Sequence, residues 1–111
     1  MIKALIAGAA LVSVSGVVSA QDVPKYDVES HCQEVADIGG GSSNTMYNSC
    51  IDMEQSAYDG LKGVWESVPA STREHCDQVA SVGGAGSYSL LESCVDMETS
   101  AAENKSEFSF D

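Results

Sequence analysis

The stretch HCQEVADIGGGSSNTMYNSCIDMEQSA, residues 31–57, decides the fold because it returns as HCDQVASVGGAGSYSLLESCVDMETSA at residues 75–101. The two stretches align at a constant offset of 44 without a gap, and 14 of the 27 positions are identical. Each copy holds two cysteines 18 residues apart, with a Gly-Gly pair between them. A duplicated unit that carries its own cysteine pair predicts one small structure formed twice in succession.

Apolar residues recur at steps of three and four on both sides of each Gly-Gly pair, which is the period of an amphipathic helix. In the first copy this predicts a helix over residues 27–38, with Asp27 as its N-cap, and a helix over residues 44–66 that ends before Pro69.

The second copy predicts a helix that starts at a capping box in residues 71–74 and ends at Gly83-Gly84. A last helix opens at Ser87 or at Ser89, where Glu92 would complete a second capping box, and fades after residue 102. No segment alternates with a period of two over a useful length. We therefore predict an all-α fold, with two tandem disulfide-linked antiparallel helical hairpins packed as a small four-helix domain.

Four cysteines allow three pairings, and hairpin geometry favours the pairing within each copy. Cys32 lies seven residues before Gly39, and Cys50 lies seven residues after Ser43, so the two sit at one height above the turn. Helix axes about 8–10 Å apart place inward-facing Cα atoms at that height roughly 4–5 Å apart, within disulfide range. We predict the disulfides Cys32–Cys50 and Cys76–Cys94.

The first 20 residues have the organisation of an export signal. Lys3 precedes an apolar run over residues 4–18, and Val18-Ser19-Ala20 fits a small-residue cleavage site. An even number of cysteines in a small exported chain also predicts disulfides, because that compartment is oxidising. We expect a secreted or periplasmic protein with no membrane segment after signal cleavage; a retained anchor is the alternative.

The mature chain, residues 21–111, is predicted to be one helical domain. Repeat 1 covers residues 26–66 and repeat 2 covers residues 70–105, and a polar C-terminal tail follows. At 91 residues a hydrophobic core alone is marginal, so covalent links would help to stabilise it.

The mature chain is strongly acidic. Removal of Lys3 leaves four Lys and Arg residues against 17 Asp and Glu residues, a net charge of about −13 with neutral histidines. Such a surface repels nucleic-acid phosphates and anionic lipid head groups, and it attracts basic proteins or cations. Simple solubility is the other interpretation of the same charge.

Two acids and two histidines are the candidate binding or buried polar residues: Glu54, Glu98, His31 and His75. Glu54 falls about 40° around the helix from Cys50, inside the apolar arc, and Glu98 has the same place in the second copy. A buried carboxylate needs partners, and a helix N-terminus, Lys25 or a histidine would supply them. The alternative is a ligand-facing acid in a groove between the hairpins.

The chain contains no nucleophile elbow, no H-E-x-x-H and no phosphate-binding loop, so we predict that it is not an enzyme. Metal ligation by His31, His75, Met53 and Met97 with the acids is a rival interpretation. The cysteines are unavailable to a metal once oxidised, and we predict no metal site and no cofactor.

A set of spaced positions in the first copy carries a family resemblance: Tyr26-x5-Cys32-x2-Val35-Ala36-x2-Gly39-Gly40, then Cys50-x3-Glu54-x2-Ala57-Tyr58-x2-Leu61-x3-Trp65. This pattern resembles short exported bacterial proteins of unknown function. Its second part is also similar to the helical motif of LprI-type lysozyme inhibitor domains, over about a third of the mature chain. That resemblance implies an exported helical protein that masks a cationic lysozyme. The second copy replaces the Leu and Trp positions by Lys105 and Ser109, which predicts a shorter last helix.

We expect a small acidic exported binding or inhibitory protein, with a basic protein such as a lysozyme as its partner. The alternatives are a periplasmic metal-handling protein, and a structural or stress protein of the cell envelope with no discrete ligand. The sequence leaves the oligomeric state open, since hairpins of this kind can exchange between chains.

Overall fold

The computed structural model describes residues 22–111, so the predicted export signal lies outside the described residues. It contains four α-helices, which are α1 (Val28–Ala36), α2 (Asn44–Val64), α3 (Ala70–Ser81) and α4 (Tyr88–Glu103). A single 3₁₀ turn, Trp65–Ser67, joins α2 to α3. These residues form no β-strand, and the all-α prediction is confirmed. None of the helices in this part of the chain has the length and apolar character needed to cross a membrane.

The cysteines pair within each hairpin, as predicted. Cys32 bonds to Cys50 and Cys76 bonds to Cys94, and the Cα atoms of each pair are 5.5 Å apart. Helix α1 packs on α2 and α3 packs on α4, and the two hairpins meet through α2 and α4. Two disulfides in so small a chain indicate an oxidising compartment outside the cytoplasm.

Side chains at three helix starts accept a free backbone N–H. Asp27 caps α1 through the N–H of Ser30, and Ser43 caps α2 through the N–H of Met46. The Ser87 hydroxyl accepts the N–H of Leu90 at the start of α4. The caps predicted at Asp27 and Ser87 are confirmed.

Two predicted capping boxes are wrong. Helix α3 begins at Ala70, directly after Pro69, which occupies the N-cap position with a φ of −57° and an extended ψ of 145°. Ser71 therefore lies inside the helix, and no side chain caps this N-terminus. At α4 the helix begins one residue before Ser89, because Ser87 occupies the capping position.

The buried core lies beside the second hairpin and the distal half of α2. It joins ten buried residues from the N-terminal segment, α2, the α2–α3 connection, α3 and α4: Val23, Ala57, Leu61, Trp65, Val68, Cys76, Ala80, Tyr88, Leu91 and Val95. Cys32, Ala36 and Cys50 are buried within the first hairpin but outside this cluster. Helix α2 is the longest helix, and its second half contributes Ala57 and Leu61 to the common core.

The N-terminal segment before α1 is tied to the second hairpin. The Tyr26 hydroxyl donates to Asp77 Oδ1 at 2.6 Å, and the Tyr26 N–H donates to Tyr88 Oη at 2.9 Å. The Tyr88 hydroxyl donates in turn to the carbonyl of Pro24 at 2.6 Å. Gly86 has a φ of +94°, and a Cβ there would lie 2.7 Å from the Tyr26 ring, so this turn requires glycine.

Candidate functional site

Glu54 is a buried carboxylate that connects the two hairpins. Its side chain is 2 % exposed, and it accepts the Tyr88 N–H at 2.6 Å, the Ser89 N–H at 3.3 Å and the Ser87 hydroxyl at 2.9 Å. The two N–H groups belong to the first turn of α4, where the helix itself supplies no acceptor and the helix dipole favours negative charge. Burial of Glu54 with a helix N-terminus as its partner is the structural interpretation predicted from the sequence.

His31 lies beside this carboxylate. The distance from His31 Nε2 to Glu54 Oε2 is 4.0 Å, and the imidazole is 26 % exposed. The His31 ring therefore lies between a buried carboxylate and the solvent. The structure thus brings together two of the four candidate residues.

Glu98 and His75 form the corresponding pair in the second hairpin, with the same 4.0 Å separation. Glu98 is 47 % exposed, so the prediction that it shares the buried place of Glu54 is wrong. Glu98 instead lines a surface groove whose walls also include Val68 and Thr72. The difference arises because α2 runs past Glu54 to the core and meets α4, whereas α4 ends soon after Glu98.

A groove of about 520 Å³ opens beside the His31–Glu54 pair, between the first hairpin and the start of α4. We call it the hairpin groove. Its walls are mainly apolar and include Val35 of α1, Met46 and Met53 of α2, and Leu90 of α4, while His31 and Glu54 supply polar groups. Met46, Met53 and Leu90 are 42 %, 60 % and 51 % exposed.

The segments that build the hairpin groove carry only negative formal charge apart from histidine. Residues 27–59 and 87–96 hold nine Asp and Glu residues and no Lys or Arg. Glu54 is the one of these nine that lines the groove itself, and Asp59 lies beside Lys62. The apolar depression is thus built from acidic segments, which suits an apolar side chain flanked by basic residues.

A second cleft, of about 400 Å³, lies on another side of Glu54 between the N-terminal segment and α2. Tyr26 and Tyr58 both pack on Tyr88 there, with ring centroids 4.7 Å and 4.9 Å away. Burial raises the pKa of the Tyr88 hydroxyl, as do the neighbouring Tyr58 and Glu54. Burial also raises the pKa of Tyr26, and its hydrogen bond to Asp77 adds to this effect. The hydroxyls of Tyr26 and Tyr88 act as structural hydrogen-bond donors.

The candidate metal ligands do not converge. All four cysteines are in disulfides and offer no thiolate. Within residues 22–111 no three His, Cys, Asp or Glu side chains come together as a metal-binding group. Met53 and Met97 are largely exposed on separate hairpins.

Sequence reasoning missed the part that Leu90 and Ser87 play at the site. Leu90 is the counterpart of Met46 at the offset of 44, and the two equivalent positions line the same groove. Their equivalence was visible in the sequence, but their meeting depends on how the hairpins dock, which no local pattern specifies.

Comparisons of this chain with protein-family models, with curated proteins and with solved structures find no match.

Proposed function

We propose that the protein is an exported acidic module that binds a basic protein and so masks part of its surface. The observation that carries this proposal is the hairpin groove, an exposed apolar depression whose surrounding segments hold nine carboxylates and no Lys or Arg. Charge of one sign steers an oppositely charged protein toward the surface, and the apolar groove supplies contact area for a specific complex.

Export belongs to the same proposal. Residues 1–20 have the order of a signal peptide, and the two disulfides form readily only in an oxidising compartment. A basic protein outside the cytoplasm, of the lysozyme kind that the sequence resemblance implies, is then within reach of the module.

Catalysis is not part of the proposal. The oxygens of Glu54 are engaged by three donors that hold the start of α4, so this carboxylate has a structural task. Glu98 is exposed, and His75 lies 4.0 Å from it.

The test is the salt dependence of binding to a cationic protein, with lysozyme as the probe and an acidic protein as the control. Raising NaCl from about 0.1 M to about 1 M shortens the Debye length from about 10 Å to about 3 Å. We expect the affinity for lysozyme, measured by calorimetry, to fall about tenfold or more over this range. The acidic control should not bind at either concentration.

A charge variant locates the effect. Glu29→Gln with Glu34→Gln removes two exposed carboxylates from α1, and it should slow association with lysozyme. Glu103→Gln with Glu107→Gln removes the same charge outside the first hairpin and serves as the matched control. Absence of binding to cationic proteins, or binding that ignores salt, would contradict the proposed function.

A further inference from the structure

We infer that the hairpin groove receives an apolar side chain of the basic partner, while Lys or Arg residues beside that side chain face the carboxylates around the groove. This inference rests on the proposed function and specifies which chemistry of the partner enters which part of the molecule.

The first step is the convergence of exposed apolar side chains. Met46, Met53 and Leu90 are each more than two-fifths exposed, and all three line one groove although they come from two helices. Single exposed apolar residues are ordinary on protein surfaces, but a contiguous apolar depression rimmed by polar groups marks an interaction site.

The second step is that both walls are held in place before any partner arrives. Glu54 of α2 holds the first residues of α4 through Tyr88 and Ser89, directly next to Leu90. The Cys32–Cys50 disulfide fixes α1 against α2 on the other side of the groove. A preformed groove loses little conformational entropy on binding, which favours affinity.

The third step concerns the occupant. A second copy of this chain would bring the same acidic surface against the groove, and like charges would oppose the contact. A basic partner instead meets exposed carboxylates of the surrounding segments, such as Glu29 and Glu34 of α1. Two of the exposed wall residues are methionines, whose unbranched and polarisable side chains adapt to an aliphatic or aromatic group.

The duplication supplies a matched control. Met97 is the counterpart of Met53 in the second hairpin, it is 70 % exposed, and it is likewise followed by a glutamate. Met97 does not line the hairpin groove. Substituting glutamine for methionine at both positions therefore makes the same side-chain change once inside the groove, at Met53, and once outside it, at Met97.

The experiment measures the affinity of the full chain for lysozyme after Met53→Gln, after Met46→Gln and after Met97→Gln. We expect each groove variant to bind about tenfold more weakly, as for removal of an interface anchor, and Met97→Gln to bind within about twofold of the unaltered chain. Circular dichroism spectra and unfolding midpoints should match among all the chains, because the substituted side chains are exposed.

The outcomes separate this inference from the proposed function. Salt-sensitive binding that the groove variants leave unchanged, or that Met97→Gln weakens equally, overturns the inference and leaves the proposed function standing. Failure of the unaltered chain to bind lysozyme and other cationic proteins overturns both. A concentration-dependent dimer that Met53→Gln dissociates would assign the groove to a second copy and overturn the inference as well.

Discussion

Glu54 does for α4 what a capping side chain usually does from within the same helix. Ser87 occupies the local N-cap and accepts the Leu90 N–H, so the Tyr88 and Ser89 N–H groups need an acceptor from elsewhere. The Glu54 carboxylate reaches them from α2, 34 residues away along the chain. One side chain thus satisfies buried donors and sets the distance between two hairpins.

Replacing Glu54 by glutamine should destabilise the fold. The glutamine amide keeps one acceptor oxygen, but its NH₂ group would face the Tyr88 and Ser89 N–H groups or the Ser87 hydroxyl, which are donors themselves. At least one buried group is then unpaired, and the negative charge favoured at a helix N-terminus is lost. We expect Glu54→Gln to lower the free energy of unfolding by about 1–3 kcal/mol, measured by urea denaturation. Glu98→Gln at the exposed counterpart should change it by less than about 0.5 kcal/mol. Equal effects at the two positions would contradict this account of Glu54.

The tyrosines between the N-terminal segment and the second hairpin give the fold a sensitivity to alkali. Burial raises the pKa of Tyr26 and of Tyr88 above the ordinary tyrosine value of 10.0, and the bond from Tyr26 to Asp77 adds to the rise at Tyr26. The folded state therefore holds these protons more tightly than the unfolded chain does. Their stabilising contribution is complete below pH 10 and declines as the pH rises above it.

We expect the thermal unfolding midpoint to fall as the pH is raised from about 10, measured by circular dichroism. Tyr26→Phe should reduce this fall, since one of the two protons is then missing, and it should also lower the midpoint at neutral pH through loss of the hydrogen bond to Asp77. Tyr47 lies outside the core cluster, so Tyr47→Phe should leave the decrease of the unfolding midpoint at alkaline pH unchanged. A Tyr26→Phe profile parallel to that of the unaltered chain would refute the assignment.

At the scale of elements, local sequence predicted the helices well because their signals are local. The period of three and four, the Gly-Gly turns and Asp27 all act within a few residues, and so does Pro69 at the end of the α2–α3 connection. The capping box at residues 71–74 failed because α3 begins at Ala70 with Pro69 in the N-cap position, so Ser71 already lies within the helix. Equal heights in a hairpin were enough to predict both disulfides.

The buried place of Glu98 was predicted from its equivalence to Glu54 and was wrong for a tertiary reason. Equivalent positions share an environment only where their neighbours are equivalent, and α2 continues through Leu61 to the core while α4 stops at Glu103. The lost Leu and Trp positions of the second copy were the available signal for this asymmetry.

The two disulfides should stabilise unequal parts of the molecule. Each closes a loop of 18 residues, which is worth about 3 kcal/mol in the chain-entropy model. Cys76 belongs to the common core, whereas Cys32 holds α1 on α2 outside that core. Loss of the first bridge therefore affects a peripheral element, and loss of the second affects the centre.

We expect Cys32→Ser with Cys50→Ser to speed hydrogen exchange mainly in α1 and the first half of α2. The matched pair Cys76→Ser with Cys94→Ser should speed exchange throughout α2, α3 and α4, because the core cluster loses an integral member. Mass spectrometry of proteolytic fragments resolves these segments. If α3 loses protection equally in both double variants, the two disulfides do not stabilise different parts of the molecule.

At the scale of the whole molecule, the even number of cysteines predicted an oxidising compartment, while the docking of the hairpins was beyond sequence reasoning. The contacts that join the halves, such as Tyr26 to Tyr88 and Glu54 to Tyr88, link residues 62 and 34 positions apart. No periodic pattern encodes such partners. The hairpin groove exists only because of this docking, so its position could not be read from either copy alone.

Each disulfide lies within one hairpin, so noncovalent contacts alone hold the two halves together apart from the connecting chain around Pro69. Two molecules that exchange their C-terminal halves break no covalent bond and recover the packing contacts between α2 and α4. The short connection around Pro69 then acts as the hinge. Concentrated preparations refolded from partial denaturation would therefore accumulate domain-swapped dimers. Reducing agents alone would not convert these dimers into native monomers.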